Sequence, residues 1–513
     1  MPEENPQPNS TEAAAPSRPP GLFRNLVSWI GSGIALIAVI DILFVLLLDL
    51  FGVKTNPYVG ILAYMVLPAF LILGLALIPA GMLLERRRRR RAAPGVIPAY
   101  PRIDLNLTHH RNAFAFFLVS MLVFLSLSAV GSYRAYEYTE TTEFCGQLCH
   151  SVMHPEFIAY QASPHARVRC VDCHVGPGAT FYVKSKLSGA YQIYAVTFHK
   201  YPKPIPTPVA NLRPAQETCE QCHWPERFYG AQLKVITHFG SDESNTPRQI
   251  RMLIKTGGGS PTTGLTAGIH WHMNIANEVT YIATDPQRQQ IPWVRIKDQQ
   301  GRVTEYVLEG SDLKPEQIKS AARRRMDCMD CHNRPSHIYY PPERSVDDYL
   351  FAGKIDRTLP FIRQQAVEVL TQKYDTNEGA REAIATTLNR FYLTKYPDLY
   401  KSRQPGVQQA IAGVQQIYAS TIFPEMKVDW RVHPDNIGHF FYPGCFRCHD
   451  GQHKSVEGKV IRKDCEICHV ILGQEEGGAP LTTVPGAQFQ HPVDLGDLTA
   501  VNCTDCHTGG GGP

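Results

Sequence analysis

The sequence predicts a membrane-anchored protein with three transmembrane helices and a large exported part that is largely irregular or helical, with a small antiparallel β insertion. Two observations predict this fold class. Three long apolar runs lie within the first 133 residues, and seven copies of one short cysteine–histidine motif follow between residue 145 and the C-terminus. The apolar runs supply membrane anchors, and the motifs supply the groups around which the exported part folds.

Each motif holds two cysteines with a histidine directly after the second. The seven copies are CGQLCH (Cys145, Cys149, His150), CVDCH (Cys170, Cys173, His174), CEQCH (Cys219, Cys222, His223), CMDCH (Cys328, Cys331, His332), CFRCH (Cys445, Cys448, His449), CEICH (Cys465, Cys468, His469) and CTDCH (Cys503, Cys506, His507). All 14 cysteines are therefore used. The pattern is typical of c-type haem attachment, in which both thiols bond to the porphyrin and the histidine binds the iron.

Zinc sites and disulfide frameworks also use paired cysteines. Neither explains why a histidine follows the second cysteine seven times when the chain has only 20 histidines. We therefore expect a multihaem cytochrome c with seven covalently bound haem c groups, numbered haem 1 to haem 7 in chain order. The first motif has three residues between its cysteines, and a disulfide is the alternative at that site alone.

The apolar runs cover about residues 26–51, 58–84 and 113–133. Each is long enough to cross a bilayer, and the first is too long for the apolar core of a cleaved signal peptide. Six consecutive arginines, Arg86 to Arg91, lie between the second and third runs. The positive-inside rule places them in the cytoplasm. A nucleic-acid patch is the rival interpretation, but a position against a membrane helix argues against it, so we expect no nucleic-acid partner.

This topology puts the amino terminus in the cytoplasm and everything after Tyr133 on the periplasmic side of a bacterial inner membrane. Residues 1–20 are polar and proline-rich, which predicts a disordered cytoplasmic tail before the anchor at 21–133. Asp41 and Asp49 fall within the first span, where ionisable groups are costly. Hydration explains Asp49 near the outer end. Asp41 lies deeper, and either takes part in proton or quinol handling or pairs with a neighbouring helix.

Three regions follow in the exported part. Residues 134–230 hold three motifs separated by short Pro- and Gly-rich segments, so the haems must supply much of the core there. Residues 231–317 contain short β-branched runs broken by Gly, Asn and Asp, which predict a β-rich insertion. Residues 318–513 form a four-haem region in which apolar residues at 346–426 recur at helical spacing.

Each motif histidine is expected to be the proximal ligand of its iron, and an electron carrier usually has a second His or Met ligand. His337 and His453 each follow their own motif by about a turn, so we expect them to reach a neighbouring haem. His270 and His272 are expected to lie in one strand, and only one of them, taken as His272, is expected to bind. The further distal candidates are His165, His439 and His491. His154, His199, His238 and His433 are weaker candidates.

Haem 1 has a different environment. Met153 follows His150 by three residues, and a thioether ligand would raise the reduction potential relative to two histidines. The alternative is that Met153 is an apolar filler. The spacing alone does not decide between these two roles.

The stretches CGQLCHSVM, SPHARVRCVDCH and LRPAQETCEQCHWPE, directly after a membrane helix, resemble the NapC/NirT/NrfH family of membrane-anchored quinol dehydrogenases over roughly residues 113–230. The longer layout is similar to that of inner-membrane heptahaem cytochromes of metal-reducing bacteria. The resemblance implies that (mena)quinol is oxidised at the haem nearest the bilayer, with Met153, Lys184 and Lys186 at the quinol site. Neutralising propionates or reaching lipid headgroups is the alternative role of the lysines.

The resemblance implies an inner-membrane quinol dehydrogenase of the quinol:cytochrome c oxidoreductase type, which passes electrons from the membrane quinol pool to periplasmic c-type cytochromes in anaerobic or extracellular respiration. The alternative is a multihaem terminal reductase of a small nitrogen or sulfur oxyanion. A reductase is expected to leave one iron without a second ligand or to use an altered motif. All seven motifs end in His and spare histidines are plentiful, which favours the electron conduit.

Overall fold

The computed structural model describes residues 21–23, 25–50, 67–92, 104–148, 150–176, 179–209, 212–228, 230–257, 268–273, 277–298, 300–482, 485–486, 488–496 and 501–510. The chain divides into two compact units, Met1–Phe144 and Cys145–Pro513. The predicted tail at 1–20 and the segment 51–66, which includes the start of the second predicted span, lie outside the described residues.

The membrane unit contains three long helices, Leu26–Leu50, Leu67–Ala92 and Thr108–Thr139. Within the described residues, two stretches are long and apolar enough to cross a membrane, Leu26–Phe44 and Leu67–Arg90. The second helix continues through the arginine run. The third predicted span lies inside the third helix, and its crossing of the membrane stays a prediction.

Small residues let the first two helices approach closely. A Cβ atom added to Gly31 would lie 2.7 Å from the main-chain oxygen of Gly74, so only glycine fits at this contact. The hydroxyl of Ser28 donates a hydrogen bond to the main-chain oxygen of Ile78 at 2.9 Å. Close packing of small residues and interhelical hydrogen bonds is how helices associate where lipid removes the hydrophobic driving force.

A Gly31→Val substitution should therefore weaken the pairing of these two helices. Overpacking of this kind costs about 1–3 kcal/mol. Limited proteolysis of membrane vesicles over a temperature series should show the anchor becoming cleavable at a lower temperature. Gly33→Val is the matched control, since a Cβ at Gly33 meets nothing within 4 Å. Equal protease resistance of the two variants would contradict the close contact.

The second unit, Cys145–Pro513, contains six helices of ten or more residues among its described residues. They are His150–Gln161, Ala179–Thr197, Pro342–Phe351, Ile362–Thr371, Asn377–Lys395 and Pro397–Thr421. Shorter α-helices are Cys170–His174, Ala215–Thr218, Pro315–Ser320, Cys328–Cys331 and Cys503–Cys506. A π-helical turn, Phe144–Leu148, precedes the first of the six.

The last four long helices form the main apolar core. Their side chains at helical spacing turn inward, and Ile362, Leu370, Ile384, Leu388 and Val414 are fully buried. These helices fall in the segment for which the sequence predicts helices. A core of this size exists here because no haem motif interrupts residues 333–444.

Two antiparallel sheets complete the second unit. The strands are β1 Gln232–Phe239, β2 Pro247–Ile254, β3 Glu278–Ile282, β4 Trp293–Lys297, β5 Val303–Leu308, β6 Arg324–Arg325, β7 His453–Ser455, β8 His469–Glu476 and β9 Ala479–Thr482. One sheet has four strands in the order β1-β2-β8-β9, and the other has five in the order β6-β3-β4-β5-β7. Strands thus extend beyond the predicted insertion at 231–317, because β6 and residues 453–482 complete the sheets.

Candidate functional site

Single helical turns carry the motifs. Cys170–His174, Cys328–Cys331 and Cys503–Cys506 are one turn of α-helix, while Cys219–Gln221, Gly444–Arg447 and Cys465–Ile467 are 3₁₀ turns. In each of these six motifs the second cysteine is three residues after the first and therefore lies on the same side of the turn. The histidine comes next in the chain. This local geometry presents two thiols and one imidazole together.

Six motif histidines each face a second histidine from elsewhere in the chain. The ring-centroid distances are 6.0 Å for His165 and His223, 6.3 Å for His174 and His337, 6.4 Å for His270 and His332, 5.8 Å for His272 and His449, 6.2 Å for His439 and His469, and 6.2 Å for His491 and His507. Metal–imidazole bonds of about 2 Å on either side of one ion would separate two rings by roughly these distances. The two rings of each pair are therefore spaced to bind one iron between them.

Hydrogen bonds fix the tautomer of most of the non-motif rings. The Nδ1 atom lies 3.0 Å from the main-chain oxygen of Glu156 in His337, of Thr256 in His270 and of Ile269 in His272, and 3.2 Å from that of Pro335 in His165. A carbonyl oxygen only accepts, so Nδ1–H donates and the lone pair stays on Nε2. Metal-ligating histidines are held in this way.

Burial also favours the neutral, ligand form of these rings. Desolvation lowers the pKa of His174, His270, His272, His332 and His337 below its usual value. For the thiols the effect has the opposite sign, and burial raises the pKa of Cys331 and Cys448 to about 12. Both effects follow because low-dielectric surroundings disfavour a charge.

A single cavity of about 2800 Å³ joins five of the paired sites. Cysteine and histidine side chains of the motifs for haems 3 to 7 line it, together with His165, His270, His272, His439 and His491. A drug-sized ligand fills only roughly 300–1,000 Å³. The space is therefore of the size that several bulky planar groups need, and its wall carries the thiols and imidazoles that would hold them.

Contacts between motifs follow the order of the sequence. The turn Ile269–Met273 provides the partners of both His332 and His449, so sites 4 and 5 adjoin. The Cys219 thiol of site 3 lies next to that of Cys328 in site 4. The Cys503 sulfur of site 7 lies 4.0 Å from Nδ1 of His439, the partner ring of site 6.

The structure contradicts the prediction that His453 binds an iron. Its side chain is fully buried, Nδ1 lies 3.0 Å from Oδ1 of Asp450, and Nε2 lies 2.7 Å from the main-chain oxygen of Ile291. With both ring nitrogens bonded inside the protein, no lone pair is left for a metal. Its place in strand β7, which pairs with β5, explains this role.

The expectation that only one of His270 and His272 faces a motif histidine is also wrong. Both lie in a 3₁₀ turn rather than a strand, and with three residues per turn two residues apart point in different directions. Each therefore meets a different motif. Closely spaced glycines before the pair, in TGGGSPTTGLTAG, are the signal against a strand that sequence reasoning missed.

Four other histidines do not face a motif ring among the described side chains. His154 packs edge-on against Phe423, His199 lies beside Tyr201, His238 stacks on Phe440, and His433 stacks on Tyr339. Nδ1 of His238 lies 3.0 Å from Oδ2 of Asp347. Burial lowers the pKa of His433 to about 4, so its ring is neutral.

The predicted quinol-site residues lie on the first two long helices of the second unit. Met153 is in the helix His150–Gln161, and the exposed Lys184 is in the helix Ala179–Thr197. Cys149 and the side chains of His150 and Lys186 lie outside the part of the chain that the structure describes. The contacts of haem 1 therefore stay predictions.

The NapC/NirT cytochrome c family, N-terminal region, matches residues 108–204. The cytochrome c-type protein ImcH of Geobacter sulfurreducens is 47% identical over 501 residues, which cover 96% of this chain and 98% of that relative. The chain belongs to the NapC/NirT cytochrome c family. No solved structure matches the chain.

Membership of the NapC/NirT family makes this chain a membrane multihaem cytochrome of electron transfer, with covalently bound haem c as its cofactor. The residues fit that group. Six helical turns each present two thiols and an imidazole. A second imidazole faces each of them at a ring-centroid distance that leaves room for one iron between the two rings. The matched region ends at residue 204, so five of the six paired sites have their motif beyond it.

Replacing His270 with Ala should remove one bis-imidazole site, because its Nε2 faces His332. Near-infrared magnetic circular dichroism of the purified protein should then show one fewer low-spin bis-histidine haem, with covalent haem content unchanged. His453→Gln is the control and should leave that spectrum as it was. The assignment fails if the two variants give the same spectrum.

Proposed function

We propose that this cytochrome oxidises (mena)quinol of the bacterial inner membrane and passes the electrons through seven c-type haems to periplasmic c-type cytochromes. The family membership, the membrane-spanning helices and the six facing imidazole pairs support this function. The single observation that carries it is the row of paired rings along one cavity. A row of fully ligated sites suits transport of electrons, whereas a substrate-reducing site needs a free iron position.

The haems, when bound, supply the one-electron redox chemistry. The chain holds them. We assign His150, His174, His223, His332, His449, His469 and His507 as proximal ligands. The distal ligands of haems 2 to 7 are then His337, His165, His270, His272, His439 and His491. The fourteen cysteines fix the porphyrins covalently, so each ring pair keeps its cofactor.

The first motif is the site of quinol oxidation in this proposal. It follows the last membrane helix directly, since Thr108–Thr139 ends only a few residues before Cys145. Lipophilic quinol stays in the bilayer, so it can reach only a site that the chain keeps at the membrane. Met153 would bind or flank the iron there, and Lys184 or Lys186 would hydrogen-bond to the quinol head. Asp41 stays a candidate for proton handling.

Orientation of the exported unit towards the periplasm rests on the arginine run and on haem attachment. Arg86 to Arg91 end the helix Leu67–Ala92, and the positive-inside rule keeps them in the cytoplasm. With the third helix also crossing, residues after Tyr133 are periplasmic. Periplasmic c-type cytochromes are then the acceptors that can reach the later haems.

A terminal reductase is the weaker alternative. It requires an iron with an open position, and six of the seven motif histidines have a facing imidazole. Haem 1 is the one site where such a position is compatible with the assigned ligands. That site is also the one the chain ties to the membrane, which suits a quinol better than a water-soluble oxyanion.

Lys186→Leu and Met153→Ala should each slow haem reduction by a menaquinol analogue at least several-fold, while reduction by dithionite stays normal. The reason is that quinol needs a polar contact and a correctly shaped haem 1 pocket, whereas dithionite reaches any exposed haem. Stopped-flow absorbance measures both rates, and a pyridine haemochrome assay should give seven covalent haems in each variant. Lys354→Leu, on the loop after the helix Pro342–Phe351, is the control.

Wild-type rates of quinol oxidation in both variants would contradict the proposed site. Electrons would then enter at another haem face or through a partner subunit. Six covalent haems per chain would show that CGQLCH does not attach a haem.

A further inference from the structure

The helix Ala179–Thr197, here called the stripe helix, carries its large apolar side chains on its outer surface. Leu187, Tyr191, Tyr194 and Phe198 are 69%, 64%, 51% and 59% exposed. Phe198 continues the helix, since its N–H donates to the main-chain oxygen of Tyr194 at 3.0 Å. The spacing of four, three and four residues places all four on one face. A helix usually turns such a face towards the core, so this one is reversed.

The opposite face of the stripe helix packs on the protein. Ala195 is buried, and Val196 packs against the apolar cluster that contains Val152 and Phe423. The helix is therefore docked through its less apolar side. The stripe itself is continuous, since the rings of Tyr191 and Tyr194 are 6.3 Å apart and those of Tyr194 and Phe198 are 4.9 Å apart.

Charge around the stripe has one sign. Between Asp172 and Glu217 the sequence contains no acidic residue, but it contains four lysines and one arginine. Lys184 is one turn before Leu187 on the same face, and Lys200 follows the stripe by two residues. Tyrosine and phenylalanine beside lysine are the residues of a membrane–water interface, where rings lie at headgroup depth and lysines attract anionic lipid.

We propose that the stripe helix lies in the headgroup layer of an anionic phospholipid bilayer, with its four apolar side chains in the acyl boundary and Lys200, just past its end, against lipid phosphates. The partner is lipid because the chain is already held at a membrane by its apolar helices and because the segment is uniformly basic. This inference rests on the proposed function, which assigns Lys184 and Lys186 to the quinol site. An interfacial helix would hold both at the depth from which quinol leaves the bilayer.

The test uses the full-length, haem-loaded protein in nanodiscs of phosphatidylcholine and phosphatidylglycerol that contain a phospholipid with a photoactivatable acyl chain. Mass spectrometry then locates the labelled peptides. We expect the peptide spanning 187–198 to carry several-fold more label than the helix Asn377–Lys395, whose Leu393 is 52% exposed. Replacing phosphatidylglycerol with phosphatidylcholine should reduce the label on the stripe.

Leu187→Asp and Tyr191→Asp should each lower that label several-fold with seven haems retained, whereas Leu393→Asp should change nothing. Equal labelling of the stripe and of Asn377–Lys395 would overturn the proposal. Cross-links between two copies at the stripe, with no lipid label, would overturn it in favour of self-association. Strong lipid labelling without quinol oxidation would sink the proposed function and leave the interfacial helix standing.

Discussion

One hydrogen bond recurs at the candidate iron sites: a ring Nδ1–H donates to a main-chain carbonyl. It orients His165, His270, His272 and His337. The bond fixes which nitrogen keeps its lone pair, so the ring presents Nε2 towards the motif histidine before any metal arrives. The carbonyls of Pro335, Thr256 and Ile269 belong to segments distant in the chain from the motifs that these histidines face. Those sites therefore depend on the tertiary fold, although each attachment motif is a single local turn.

The buried carboxylate of Asp330 ties several of these segments together. It lies inside the fourth motif and accepts from the hydroxyl of Tyr281 at 2.7 Å, from Arg324 Nε at 2.7 Å and from Arg288 Nη1 at 3.1 Å. The main-chain oxygen of the same residue accepts from Arg447, inside the fifth motif, at 2.7 Å. Buried charges persist only when they are paired and hydrogen-bonded. This network holds sites 4 and 5 at a fixed separation against the five-stranded sheet.

The attachment sites could be predicted from sequence because a motif is local and repeats. The first span and the helices before residue 426 could be predicted for the same reason, since apolar spacing is a local signal. The histidines that face the motif histidines are harder to predict from sequence. The sequence marks His337 and His165 as ligand candidates, but which motif each of them faces depends on the fold. His453 shows the limit: its spacing after Cys448 resembles that of His337 after Cys331, yet strand pairing buries it and uses both nitrogens.

An experimental structure of the haem-loaded protein in a lipid nanodisc, determined by electron cryomicroscopy, tests the central claim most directly. The claim is that distant histidines complete the irons of haems 2 to 7. The account predicts density for an iron between the Nε2 atoms of each of the six facing pairs, and no metal at His453. An iron bound by His453, or a facing pair whose rings bind two different haems, would contradict it.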